Sequence, residues 1–149
     1  MTGITPAGIE IDRDFTAPPS AVFAAWTNAE HFAKWFGGGQ VDVPADRLDY
    51  NPVVGGSWSA TMVLPDGNTI AWAGDFLEIT PVERLVLTMT DNPSSAQRAE
   101  VVVELSPTPT GTHMRMTQET PGFTTEMRQG TLAGWQTFMD VLTTIAEAA

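Results

Sequence analysis

The chain has 149 residues, with 18 acidic against 7 basic side chains, a net charge of −11 and a single lysine, Lys34. So acidic a molecule repels the phosphates of nucleic acid and the anionic face of a membrane, because both need a clustered basic surface. Cysteine is absent, which removes disulfides, thiolate nucleophiles and zinc–thiolate sites together and makes the reducing cytoplasm the expected location. The length fits one domain over residues 1–149, large enough to bury roughly 70% of the surface its unfolded form exposes. Residues 1–11 lack the basic and apolar parts of a leader, and no apolar run reaches the length of a membrane span.

Ile9, Ile11, Arg13 and Phe15 alternate with Glu10, Asp12 and Asp14, the period-two signature of a strand with one wet face. Pro18-Pro19-Ser20 stops that strand and suits a helix start, since a proline in the first turn gives up an N–H that has no partner there. Val22, Phe23 and Trp26 supply the buried side of this first short helix. Asn28 then caps a second, whose Phe32, Trp35 and Phe36 share a face and whose end is marked by Gly37-Gly38-Gly39. Six further strands are expected over residues 40–50, 57–64, 69–79, 84–90, 98–105 and 112–120. Turn residues separate them, among them Gly55-Gly56, Pro65-Asp66-Gly67-Asn68, Pro81 and Asn92-Pro93, so an antiparallel meander follows.

Residues 121–149 read as one long helix. Met127, Thr131, Trp135, Phe138, Leu142 and Ile145 recur at spacings of four, four, three, four and three, which places them on one face. Alternation in the strands supplies a surface to meet it. Trp58, Ala60 and Met62 point one way, as do Leu85, Leu87 and Met89, then Ala99, Val101, Val103 and Leu105, then Met114, Met116 and Gln118. Trp72, Gly74 and Phe76 join them, with a mid-strand glycine that can switch parity around Asp75. The class is α+β: a curved antiparallel sheet of about seven strands around a long C-terminal helix, with two short helices after the first strand.

Reactive constellations are scarce. His31 and His113 stand far apart without cysteine, so no metal site and no cofactor are expected. Gly55-Gly56-Ser57-Trp58-Ser59 lacks the second glycine of a nucleophile elbow. Gly37-Gly38-Gly39 follows a helix instead of opening one and lacks a phosphate-loop lysine. No catalytic residue is assigned. Asp75 or Glu119 would serve as general acid or base if buried in an apolar cavity, where burial raises a carboxyl pKa; a solvated strand face is the plainer reading of both.

The motifs Ala17-Pro18-Pro19, Val22-Phe23, Ala25-Trp26-Thr27, Trp35-Phe36-Gly37, Gly55-Gly56-Ser57-Trp58, Pro65-Asp66-Gly67, Trp72-x-Gly74-x-Phe76-Leu77-Glu78-Ile79, Pro81-x-Glu83-Arg84-Leu85 and Gly134-Trp135 resemble, in order and spacing, bacterial relatives of the activator of the heat-shock-protein-90 ATPase, within the SRPBCC superfamily. The resemblance covers nearly the whole chain and implies a helix-grip, START-like fold with a hydrophobic cavity beneath the long helix. It does not by itself imply a reaction. The pattern departs from the family's paired tryptophan, having Trp35-Phe36, and adds the glycines 37–39.

Together these observations lead to non-catalytic binding of a small apolar or aromatic molecule between sheet and helix. Trp35, Trp58, Trp72, Met114, Met116, Met127, Thr131, Trp135 and Phe138 are the expected lining, with Gln118 as a polar contact. A filled core is the competing reading of the same residues. Two other functions remain open, a chaperone-binding module, as the resemblance implies, and an enzyme of cyclase or dehydratase type. The expected state is a monomer or a homodimer.

Overall fold

A computed structural model of the chain describes residues 2–39 and 41–148. The described residues form β1 (Gly3–Ile4), β2 (Gly8–Phe15), α1 (Pro19–Thr27), α2 (Ala29–Trp35), β3 (Asp49–Tyr50), β4 (Ser57–Val63), β5 (Thr69–Thr80), β6 (Arg84–Met89), β7 (Ala99–Thr108), β8 (Gly111–Glu119) and α3 (Thr125–Ala148). All the strands lie in one sheet in the order β1-β2-β8-β7-β6-β5-β4-β3. Strands β3 to β8 form the meander, and β2 returns to pair antiparallel with β8, from Gly8 opposite Glu119 to Phe15 opposite Thr112. The long helix α3 packs on β2, α1 and α2, which makes this an α+β helix-grip fold.

Local chemistry explains the short helices. Pro19 opens α1, where its fixed φ suits the first turn. Asn28 caps α2 with its side-chain oxygen, accepting from Glu30 N at 2.9 Å and His31 N at 3.2 Å. The glycines 37–38 follow with φ of 94° and 71°, and Gly39 continues at 76°, a left-handed path that side chains with a Cβ avoid.

The strand expected over residues 40–50 does not form as one piece; Gln40 itself lies outside the described residues. Asp42 makes an isolated bridge to Val63, Pro44 precedes a tight 3-10 turn over Ala45–Arg47, and only Asp49–Tyr50 joins β4. Proline has no N–H to give a ladder, and it breaks the pairing there. A short strand, β1, is added at the opposite edge through Gly3–Ile4, so the described sheet has eight strands. The final helix begins at Thr125, not at residue 121. Gly122 has φ +77°, and the Thr124 hydroxyl accepts from Met127 N at 3.1 Å, capping the helix there.

Inward-facing positions follow the alternation expected of them. Trp58, Ala60, Met62, Leu85, Leu87, Val101, Val103, Met114 and Met116 are all buried, each apolar side chain worth about 1.5–3 kcal/mol of burial. The parity of β5 does switch, but beyond Asp75. Its register on β6 shifts between Phe76 and Glu78, leaving Leu77 48% exposed and Ile79 against the core. Gly74 has a different cause. A Cβ there would lie 1.8 Å from the Thr88 carbonyl oxygen and 2.3 Å from Trp58 Nε1, because the indole crosses the glycine to donate to that carbonyl at 3.0 Å.

Candidate ligand-binding cavity

The face of α3 turned to the sheet changes character along its length. Its buried residues are Trp135, Met139, Leu142 and Ala146, spaced four, three and four, so the C-terminal half is packed solid. Arg13 ties that half to β2: Nη1 donates to Asp140 Oδ1 at 3.0 Å and Thr143 Oγ1 at 3.1 Å, and Nη2 to Gln136 Oε1 at 2.8 Å. Glu147 adds an acceptor for Thr16 N at 2.9 Å, a hydrogen bond that holds its carboxyl below the usual range.

Under the N-terminal half the packing opens into a cavity of about 440 Å³, bounded by β5, the ends of β6 and β8, the start of β7, the loops beside them and α3. Its apolar walls are Trp72, Met89, Ala99, Pro121, Phe123, Trp135 and Phe138; Thr90, Asp91, Gln97, Arg98, Gln118, Glu119 and Thr131 supply polar groups. That volume lies within the range of small-molecule pockets. Gly134 also faces it. A Cβ on Gly134 would meet nothing within 4 Å, so packing does not explain a glycine that costs the helix about 1 kcal/mol relative to alanine; its absence of side chain keeps the space open.

The aromatic residues divide between core and cavity in a way their spacing did not reveal. Trp35 is fully buried and donates its indole N–H to Ala25 O at 2.7 Å; Trp58 is equally committed to Thr88 O. These two, with Trp26, Phe32 and Phe36, make a continuous edge-to-face and stacked cluster under the short helices. Tyr50 seals it, donating to Trp26 O at 2.5 Å, and burial pushes its phenol pKa up. Trp72 and Trp135 differ because each also faces the open space. Trp135 Nε1 donates to Gln118 Oε1 at 2.5 Å, while Trp72 packs edge-on against Phe36 and its buried Nε1 has no hydrogen-bond partner among the described residues.

Of the ten residues expected at a site, the structure brings five together around the cavity: Trp72, Gln118, Thr131, Trp135 and Phe138. Trp35, Trp58, Met114 and Met116 lie in the filled core, since the short helices close over the sheet there and leave their side chains no free face. Met127 is placed outside, 48% exposed, in the first turn of α3, which starts only two residues before it. Arg98, Phe123, Asp91, Gln97 and Pro121 were missed. All but Arg98 belong to loops, where no period marks a side chain's direction, and Arg98 immediately precedes β7.

The carboxylates considered for acid–base work are not buried. Asp75 is about half exposed and pairs with Arg98 Nη1 at 3.0 Å, and Glu119 is exposed at the cavity rim. His113 lies between Asp14 Oδ1 at 2.8 Å and Asp12 Oδ1 at 3.1 Å on the outer sheet face. The β2–β8 register, with Asp14 opposite His113, creates that cluster. The hydrogen bond to Asp14 first, and that to Asp12 after it, raise the His113 pKa above 6.5 against the opposing effect of burial. Among the described residues no group of histidine and carboxylate side chains is arranged to hold a metal ion, Asp12 and Asp14 meeting His113 at different ring nitrogens, and no helix is long and apolar enough to cross a membrane.

Comparison with known proteins agrees with this architecture. The family model described as Activator of Hsp90 ATPase homolog 1-like protein matches residues 16–147. A solved structure from Chromobacterium violaceum superposes with a TM-score of 0.83 at 24% identity, covering 95% of this chain and 99% of that one. One from Nitrosomonas europaea gives 0.81 at 24% identity, covering 95% of each chain. The solution structure of a protein from Aeromonas hydrophila, described as like the same activator, gives 0.78 at 25% identity over 94% of this chain and 92% of that one. No curated protein matches the chain.

Proposed function

Because the chain belongs to the family of Activator of Hsp90 ATPase homolog 1-like proteins, we propose that it acts as a single-domain binding protein, holding a small apolar or aromatic molecule between α3 and the sheet without transforming it. The observation that carries this reading is the cavity of about 440 Å³ walled by Trp72, Trp135, Phe138, Phe123 and Met89. Removing such a ligand's apolar surface from water stabilises the complex by about 25 cal/mol per Å² before the cost of association is met. The aromatic walls are rigid and already in place, so little ordering is needed on binding.

The test uses Gly134, whose missing side chain leaves the space empty. The neutral fluorophore N-phenyl-1-naphthylamine is titrated into wild type and into Gly134→Leu. Saturable binding to wild type, lost in a Gly134→Leu variant that melts no lower, is the expected result. Equal binding to both places the dye elsewhere and overturns the reading.

A chaperone contact is the second reading, and one observation favours it. Val53, Val54 and Leu77 are 52%, 65% and 48% exposed, and the Val53–Val54 loop is joined to the strand carrying Leu77 by Gly55 N donating to Phe76 O. The bulge between Phe76 and Glu78 turns Leu77 outward to join Val53 and Val54. Val54→Glu abolishing capture of the purified host chaperone would support it, and unchanged capture would remove this surface from consideration.

A further inference from the structure

Building on the cavity-binding reading, we infer that Gln118 fixes the polar character of the ligand: the cavity takes an uncharged apolar or aromatic molecule bearing a hydrogen-bond acceptor, of which a carbonyl oxygen is the simplest, and the Gln118 amide donates to it. An indole N–H can only donate. Since Trp135 Nε1 lies 2.5 Å from the Gln118 side chain, the group facing it must be the carboxamide oxygen, and the NH2 is the end left over. That NH2 has no partner among the described residues. The side chain lines the cavity and is half-buried, not sealed. A glutamate would satisfy Trp135 as well as a glutamine does; what the carboxamide adds is two donors.

Thr131, Arg98, Asp91 and Glu119 bear on the ligand's charge. The Thr131 hydroxyl spends its proton on Met127 O at 3.0 Å, so it offers the ligand no donor. Arg98 is held by Asp75 at 3.0 Å and by Pro93 O at 3.3 Å, and Asp91 and Glu119 share the cavity wall with it. A carboxylate ligand would meet two carboxylates for one cation that is already paired, in a chain of net charge −11. A neutral carbonyl needs one donor and costs far less to remove from water than an ion.

Two probes of the same shape read this directly: 2-acetylnaphthalene and 2-isopropenylnaphthalene, in which a CH2 replaces the carbonyl oxygen. Calorimetric titration at pH 8 should show the ketone binding wild type about fivefold more tightly, the effect of one neutral hydrogen bond. In Gln118→Glu, which keeps the acceptor for Trp135, and in Gln118→Met, which keeps the side-chain length, the two probes should bind alike. Two variants are used so that poor folding of one leaves the other informative. Equal affinities in wild type overturn the inference while leaving the cavity reading intact. A ketone preference that survives in both variants assigns the donor to another group and overturns the role of Gln118. Failure of both probes to bind wild type removes the cavity reading and this inference with it.

Discussion

The two halves of α3 lie over the same sheet but rest on different floors. From Met139 onward the helix is packed solid, with Met139 and Leu142 fully buried and Arg13 gripping Asp140 and Thr143 there and Gln136 just before. Before Met139 the same helix spans open space, with Gly134 and Thr131 over a cavity and Met127 in solvent. The helix is thereby packed along its last turns, while its first half is tied down at Arg128, which donates to the Thr120 hydroxyl at 3.1 Å, and at Trp135, with the cavity beside them. Stability and binding are carried by different turns of a single element, so they can be changed separately.

The largest effect should come from the filled half. Leu142→Ala removes a fully buried side chain and should cost about 2–5 kcal/mol of unfolding free energy, measured by denaturant titration, while the folded fraction still binds N-phenyl-1-naphthylamine. Arg13→Met comes next. It keeps the apolar stem but loses the bonds to Asp140, Thr143 and Gln136, and about 1–2 kcal/mol should be lost, discounted because Asp140 is largely exposed. Hydrogen exchange should rise in the last turns of α3 and not in the first.

Changes in the open half should act on binding. Trp72→Ala should weaken the dye by roughly tenfold through lost apolar contact with the fold retained, and an unchanged affinity would take Trp72 out of the site. Gly134→Ala should do the reverse of a core mutation, raising stability by about 0.5–1 kcal/mol while weakening the dye, since the new methyl enters empty space.

The smallest effect is a control on the outer face, where His113 touches neither floor. Its folded pKa is raised above 6.5 by Asp14 and Asp12. Its contribution to stability is therefore fully present below the unfolded value and is lost as pH rises through the folded one. An NMR titration should find the His113 midpoint lowered in Asp14→Asn, with dye affinity unaltered.

The fold was legible because its elements are periodic. Alternation placed Trp58, Ala60, Leu85, Val101 and Met116 inside, and Asn28 and the prolines at 18–19 marked the short helices through chemistry that acts within a few residues. What failed was decided at longer range. Pro44 broke an alternation that otherwise read as strand, and the parity switch anticipated around Asp75 falls one step later, between Phe76 and Glu78. The site was only half legible for the same reason. Periodicity says that Trp35 and Trp135 both face inward, but not that α1 and α2 fill the space around the first while nothing fills the space beside the second. Arg98 and Phe123, read as the start of a strand and part of the long helix, join the cavity because β7 begins at Ala99 and α3 at Thr125, leaving both in the connecting chain.

The five tryptophans allow the difference between the two floors to be measured in one spectrum. In a ¹H–¹⁵N correlation experiment with assigned indole signals, adding 2-acetylnaphthalene should move the Nε1 resonances of Trp72 and Trp135, which face the cavity, and leave those of Trp26, Trp35 and Trp58 in place. Shifts confined to the latter three, or of similar size in all five, would contradict an open floor beneath the N-terminal half of α3.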